Sequence, residues 1–211
     1  MKNLLIIGAR GFGREVYNSA LESIGYNDFF IVKGFLDDKV NALDGYDGYP
    51  PIVDSVERYQ LVKDDVFICA LGEVFYKEIY VKMILAKGGE FINLIHKTAN
   101  VDRNTVLGKG CIVCRNVQIS CDIRIGNYVT FQPFSTIGHD VSIGDFCHLN
   151  TYAFVGGYSV LSDGVTIHTG AMLHPYKRIG EYSIIGAGAF VISNVKPNTT
   201  MVGNPARTLK L

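Results

Sequence analysis

From Val101 to Val191 an aliphatic or aromatic side chain returns at every sixth residue without a gap, beginning Val101, Leu107, Val113, Ile119, Ile125, Phe131 and closing on Ile179, Ile185, Val191. A period of six matches neither the 3.6 of a helix nor the 2 of a strand. It requires an architecture that returns each hexad to an equivalent environment, and a triangular parallel β-helix does this with one hexad per side. The residue four places on is small or β-branched nearly throughout, from Thr105 and Cys111 to Ala189 and Val195, which suits a narrow interior corner. Glycine often follows the aliphatic (Gly108, Gly126, Gly138, Gly144, Gly156, Gly180, Gly186), where the chain is expected to turn and use its backbone freedom. The sixteen hexads, at three per coil, predict about five coils and a prism on the order of 25 Å tall at ~4.8 Å per strand spacing. Phe131 is large for such an interior and Lys177 interrupts the small series, so both are expected to mark local widening or a coil end.

Residues 1–95 follow another rhythm. The run Leu4-Leu5-Ile6-Ile7 ends in Gly8-Ala9-Arg10-Gly11-Phe12-Gly13, after which residues 14–21 continue with helical spacing. That is strand, glycine turn, helix. Residues 31–36, ending in Asp37-Asp38, and 66–70 predict further strands, 73–87 a helix, and 91–95 a fourth strand. Strands alternating with helices imply a small parallel sheet, half of a Rossmann-like domain. The expected division is 1–95 and 96–211, with His96 at the junction and the stretch 41–51 as the most irregular segment.

The glycine loop reads G-x-x-G-x-G rather than G-x-G-x-x-G, with Arg10 where the second glycine would let a pyrophosphate approach, which argues against a nicotinamide cofactor. Two readings stay open: the glycines serve only a tight turn, or the free N–H groups at the helix start hold a nucleotide diphosphate or sugar. Twenty basic residues balance twenty acidic ones, which offers no field to attract nucleic acid. The apolar runs fall far short of the ~20 residues of a membrane span. Met1-Lys2-Asn3 leads into a strand rather than an apolar signal segment, so a cytoplasmic location is expected. The five cysteines fall mostly on apolar or corner positions, which favours buried thiols over disulfides. Cys111 and Cys114 form C-x-x-C but occupy different hexad positions and point apart, against metal binding.

The glycine loop through Arg14-Glu15-Val16, then Gly34-Phe35-Leu36-Asp37-Asp38, the hexads with Ile137-Gly138-His139-Asp140 and Cys147-His148-Leu149, and Gly203-Asn204-Pro205-Ala206-Arg207 together resemble the sialic acid O-acetyltransferase family. That family includes N-acetyltransferases of nucleotide-linked 4-amino sugars. The resemblance implies an α/β Rossmann-like half domain that binds the acceptor, followed by a left-handed parallel β-helix that uses acetyl-CoA and no metal. His139 matches the family's general base, a role that suits an imidazole. Asp140 would orient it. His148 matches a second histidine near the acetyl group, Gly157 a backbone donor to the thioester carbonyl, and Gly203, Asn204 and Pro205 a coenzyme-binding turn. Gly8, Gly11, Phe12, Gly13, Asp37 and Asp38 would hold the acceptor. Phe12 departs from the pattern, because the family usually places there a histidine that contacts the amino sugar.

Repeat phase adds to this. Gly157 lies eighteen residues, one coil, after His139, whereas His148 is half a coil out of phase and belongs to another face. The two histidines can converge only between subunits, which predicts a homotrimer with three shared sites. No cysteine sits beside a base, so direct transfer is expected rather than an acetyl-enzyme. His168 and His174 replace the usual glycine in consecutive hexads and are read as surface residues near the coenzyme cleft or without a role. The alternative activity is O-acetylation of sialic acid or another sugar. A zinc-dependent hydratase needs one separated histidine followed by a close pair, which 139, 148, 168 and 174 do not reproduce. A non-enzymatic sugar-binding scaffold leaves His139-Asp140 unexplained.

Overall fold

The computed structural model describes residues 1–209 and resolves two compact units, Met1–Lys97 and the chain from Thr98 onward. Their boundary falls two residues beyond the expected one, and residues 210 and 211 of the expected second domain lie outside the described residues.

The first unit runs β1 (Lys2–Ile7), α1 (Gly11–Leu21), β2 (Phe30–Leu36), β3 (Ile52–Asp54), β4 (Asp65–Cys69), α2 (Val74–Ala86). Its sheet is parallel, in the order β3-β2-β1-β4. β1 is central, and Leu4 to Ile7 are at most 1% exposed, because a parallel strand covered on both faces wants a continuous apolar run. Gly13, Val16 and Ala20 of α1, and Lys77, Val81 and Ile84 of α2, are the buried positions at helical spacing. The expected strand at 91–95 reduces to the pair Leu94–Ile95 and a bridge from Phe91 to Phe67. The fourth strand of the sheet is instead β3, where Ile52 pairs with Phe35 just after Pro50-Pro51. At three residues, on an edge and behind two residues that cannot donate to a ladder, it carries no readable periodicity. Beside this sheet Lys33 Nζ donates to the Tyr59 hydroxyl at 2.6 Å and to Asp65 Oδ1 at 2.9 Å, while Tyr59 donates to Asp65 Oδ2 at 2.6 Å. Burial raises the Asp65 pKa, but the Tyr59 hydroxyl, the Val62 N–H and Lys33 outweigh it and hold the carboxyl below its ordinary value.

The second unit is a left-handed parallel β-helix of sixteen two-residue strands, from Asn100–Val101 to Phe190–Val191. Partners stand eighteen residues apart on three faces: Ile137 pairs with Ile119 and Val155, Ile143 with Ile125 and Leu161, Leu149 with Phe131 and Ile167. Burying each of these aliphatics stabilises the prism by roughly 1.5–3 kcal/mol. Phe131 is accommodated in the ladder between Val113 and Leu149, fully buried. Lys177 is half-buried on the last full coil. There the path shortens by two residues: Ile179 bridges to Val195 and Ile185 pairs with Met201, both sixteen residues on. Val195 is therefore a strand partner rather than the corner residue that the repeat predicts. Thr200–Val202 then pairs with the antiparallel Arg207–Thr208.

The turns also fall later than expected. Left-handed φ belongs to the third residue after each aliphatic, as at Asn104, Asn116, Asp122, Tyr128, Phe134 and Asp140. The glycine directly after the aliphatic serves closeness instead: a Cβ on Gly126 would lie 2.7 Å from the Gly144 carbonyl carbon, and one on Gly138 would lie 2.7 Å from Gly157 N. Seven left-handed residues are tyrosine or phenylalanine, for which the conformation costs roughly 1–2 kcal/mol. Stacking one coil apart offsets this, with Tyr128 on Phe146 at 4.9 Å, Phe134 on Tyr152 at 5.2 Å and Tyr158 on Tyr176 at 4.8 Å. No helix among the described residues is long and apolar enough to cross a membrane.

Candidate active site

His139 and Asp140 occupy the turn after the strand Thr136–Ile137, and Asp140 is its left-handed residue. His139 Nδ1 lies 2.8 Å from Asp140 Oδ2, and both side chains are about half exposed (52% and 42%), so a ligand can reach them. With Nδ1–H donating to the carboxylate, Nε2 is the basic nitrogen. That nitrogen lies over Gly157, where a Cβ would come within 3.1 Å of both Nε2 and Cε1. Among the described residues the Gly157 N–H has no backbone acceptor. One coil earlier Asp122 is held below its ordinary pKa by the Asn104 amide first, then by Cys121 and by the charge of His139. On the following coil the Tyr158 ring meets His139 at 5.1 Å and 89°.

His148 belongs to the strand His148–Leu149 on a different face, so the two histidines of one chain diverge as their phase requires. Its ring is 2% exposed, with Nε2 3.2 Å from Gln132 Nε2, while Thr151 Oγ1 donates to Gln132 Oε1 at 3.2 Å. The group this edge offers to a ligand is the half-buried Gln132 amide more than the imidazole itself. His174 follows the strand Met172–Leu173 on the His139 face, whereas His168 follows Thr166–Ile167 on the His148 face.

Gly203-Asn204-Pro205-Ala206 forms the tip of the terminal hairpin, with Gly203 at φ 90° and a cis Asn204–Pro205 peptide. Phe190 N donates to Gly203 O and Ala206 N to Phe190 O, which ties the tip to the strand Phe190–Val191. That strand shares a face with Thr136–Ile137. Three coils separate them, roughly 14 Å at ~4.8 Å each.

In the first unit, a Cβ on Gly13 would overlap the Gly8 carbonyl oxygen, so only glycine lets the loop fold beneath α1. Gly11 faces open space, and Arg10 caps α1 without a side-chain hydrogen bond. Asp37 braces this loop: Oδ2 accepts from Ala9 N at 2.8 Å and Oδ1 from Lys39 N at 2.9 Å. Asp38 Oδ2 accepts from the Tyr80 hydroxyl, and this hydrogen bond, with burial, pushes the Tyr80 pKa up to about 12. Gly8, Arg10, Phe12, Asp38, Tyr76 and Tyr80 border a cavity of about 520 Å³, the size of a small-molecule site. Tyr76 and Tyr80 escaped the sequence reading, although their spacing of four on one helix was a usable signal. Among the described residues no group of three or more His, Cys, Asp or Glu is placed to hold a metal ion.

A left-handed β-helix joined in sequence to a Rossmann-like unit is the build of the hexapeptide-repeat sugar acetyltransferases, the class to which this chain's relatives belong. Within that class the chain belongs to the family of nucleotide-sugar N-acetyltransferases. It is 30% identical over 156 residues to the GDP-perosamine N-acetyltransferase of Escherichia coli O157:H7, covering 72% of this chain and 69% of that protein. Residues 3–84 match the PglD N-terminal domain family. The UDP-N-acetylbacillosamine N-acetyltransferase of Bacillus subtilis is 31% identical over 117 residues, 54% of this chain, and the match spans about half (51%) of that relative. The acetyltransferase domain of PglB from Neisseria gonorrhoeae shares the fold with a TM-score of 0.89 at 24% identity, covering 99% of this chain and 100% of that one. So does perosamine N-acetyltransferase from Caulobacter crescentus, solved as a histidine-to-asparagine mutant with CoA and GDP-perosamine, with a TM-score of 0.88 at 22% identity and coverage of 100% and 98%.

Proposed function

We propose that the protein transfers the acetyl group of acetyl-CoA directly to the amine of a nucleotide-linked amino sugar, with His139 as general base. The observation that carries this reading is the 2.8 Å contact of His139 Nδ1 with Asp140 Oδ2, which leaves Nε2 basic and directly over Gly157. The amine attacks the thioester carbonyl and its proton passes to Nε2. The new C–N bond stands as the C–S bond breaks, and the imidazolium beside Asp140 returns the proton to the coenzyme thiolate. The Gly157 N–H donates to the carbonyl oxygen as charge builds on it. Coenzyme A lies along the edge that leads from His139 past His174 to Gly203, Asn204 and Pro205. The acceptor's phosphates sit at the start of α1, on the N–H groups of Gly11 and Gly13, and Asp38, held by Tyr80, faces its base or sugar. Asp37 contributes by holding the loop.

His148 and Gln132 complete the site from a neighbouring subunit in a homotrimer. Five cysteines with no disulfide among them suit the cytoplasm, where the acetyl donor is found. Phe12 removes the loop imidazole that contacts the amino sugar in the family, and on that ground a sugar hydroxyl is the second acceptor reading.

Acetyl-CoA offered with UDP- and GDP-linked 4-amino sugars and with free sialic acid tests both. An N-acetylated nucleotide sugar is the expected product, and His139→Ala should lower kcat by roughly 10²–10⁴-fold with acetyl-CoA affinity within a few fold. Transfer only to the sialic acid hydroxyl selects the second reading, and undiminished turnover in the mutant overturns His139 as the base. Mixing His139→Ala with His148→Ala chains should restore part of the activity if sites are shared; no recovery after verified subunit exchange rejects the trimeric site.

A further inference from the structure

The corner column that carries Asp140 runs Asn104, Asp122, Asp140, Tyr158, Tyr176, one residue per coil and all with left-handed φ. Asparagine and aspartate tolerate that conformation, whereas a tyrosine opposes it. The column nevertheless changes to tyrosine at the coil directly after His139. Tyr158 and Tyr176 lie parallel, 5° apart in plane and 4.8 Å between centroids. That distance equals one coil, so the Tyr158 ring turns one face to Tyr176 and the other toward the preceding coil. His139 stands on that coil, edge to face with Tyr158 at 5.1 Å and 89°.

We propose that Tyr158 is a positioning residue for His139, its ring holding the imidazole upright over Gly157 while Asp140 holds Nδ1. Two fixed points define the plane of the imidazole: the carboxylate sets one nitrogen and the tyrosine face sets the tilt. The edge of an imidazole is its electropositive part and the face of a phenol ring its electronegative part, so the arrangement is attractive and strengthens when His139 takes a proton. The Asp140 carboxylate, followed by Tyr176, pushes the Tyr158 hydroxyl pKa up, as its place beside that carboxylate requires. The other aromatic corners pack on an aromatic ring or, for Tyr182, over Gly164. In the Asp140 column it is Tyr158 that meets the side chain assigned as base.

This inference rests on the reading of His139 as base, and Tyr158→Asn tests it without endangering the fold. Asparagine relieves the left-handed turn while removing the ring, so Tm should hold or rise. Expected is a fall in kcat of about tenfold with the KM for both substrates within about twofold, and Tyr158→Phe, which keeps the ring, within about twofold of the parent in every constant. The ¹⁵N spectrum of the His139 ring should show one tautomer in the parent and in Tyr158→Phe, and averaged shifts in Tyr158→Asn. Parent-like kcat in Tyr158→Asn, or equal loss in Tyr158→Phe, overturns the role of the ring. If His139→Ala keeps its turnover, the base assignment fails first, while the ¹⁵N comparison still decides whether Tyr158 orients that imidazole.

Discussion

In the β-helix a single interval of eighteen residues decides which side chains meet, whereas in the Rossmann-like unit each meeting is arranged separately. Ile137 finds Val155, Thr130 finds His148, and Gly157 comes to lie under His139, all by the same step. In the first unit Ala9 meets Asp37 across 28 residues, Lys33 meets Asp65 across 32, and Asp38 meets Tyr80 across 42. A repeat thus places chemistry by phase and tolerates varied residues at one phase. The open sheet places chemistry by particular hydrogen bonds and is vulnerable at each of them.

The largest effect should come from breaking phase. Deleting Asn116 rotates every later side chain by one position, so the buried ladder from Ile119 onward meets solvent and the chain should fail to yield folded, soluble protein. Deleting Gly48, in an irregular stretch with no neighbour to its absent side chain, should leave a folded protein. Equal yields of the two by size-exclusion chromatography would sink the contrast.

A smaller effect is expected where the first unit depends on one group. Asp65→Ala leaves the Lys33 ammonium and the Tyr59 hydroxyl without their shared acceptor and should cost about 1–3 kcal/mol in urea unfolding. Because the folded Asp65 pKa lies below its unfolded value, its contribution is present above the unfolded value and fades as pH falls through the folded one. The parent should therefore lose stability on acidification below about pH 4 more steeply than Asp65→Ala does. Parallel stability curves would show that Asp65 is not the group responsible.

The smallest effect sharpens the roles of the paired aspartates. Asp38→Asn should raise the acceptor KM about tenfold with the acetyl-CoA KM unchanged. Asp37→Asn should act through the loop instead, lowering Tm as well as acceptor affinity. Matching losses for both substrates in Asp38→Asn would remove it from the acceptor site.

These differences also explain what could be read from the chain alone. The ladder was legible because sixteen interior positions repeat one chemistry. The turns fall elsewhere because glycine signals both backbone freedom and close approach, and the positions that do turn are filled by tyrosine and phenylalanine more often than by asparagine. Val195 fits the corner series and the strand series equally well, so only its bridge to Ile179 exposes the shortened coil. His139 and Asp140 meet because they are sequence neighbours in one turn, which composition of the turn already suggests. His148 meets Gln132 of the preceding coil, itself held by Thr151, which leaves no local trace, and the Asp38–Tyr80 pair joins residues 42 apart, of which only the Tyr76–Tyr80 spacing shows in the chain.

The shortened last coil has an evolutionary consequence. Full coils are interchangeable modules, since a duplicated block of eighteen residues keeps partners such as Asn127 with Asp145, and Asp145 with Asp163, in step. The sixteen-residue step from Ile179 to Val195 and the antiparallel hairpin after it do not share that register. The prism can therefore lengthen in register only ahead of Ile179 and only in whole coils, and each coil added between His139 and Ile179 moves the Gly203-Asn204-Pro205 tip ~4.8 Å farther from His139. Coil number then works as a ruler: under the proposed placement of coenzyme A between His139 and that tip, the fixed length of the coenzyme sets the count.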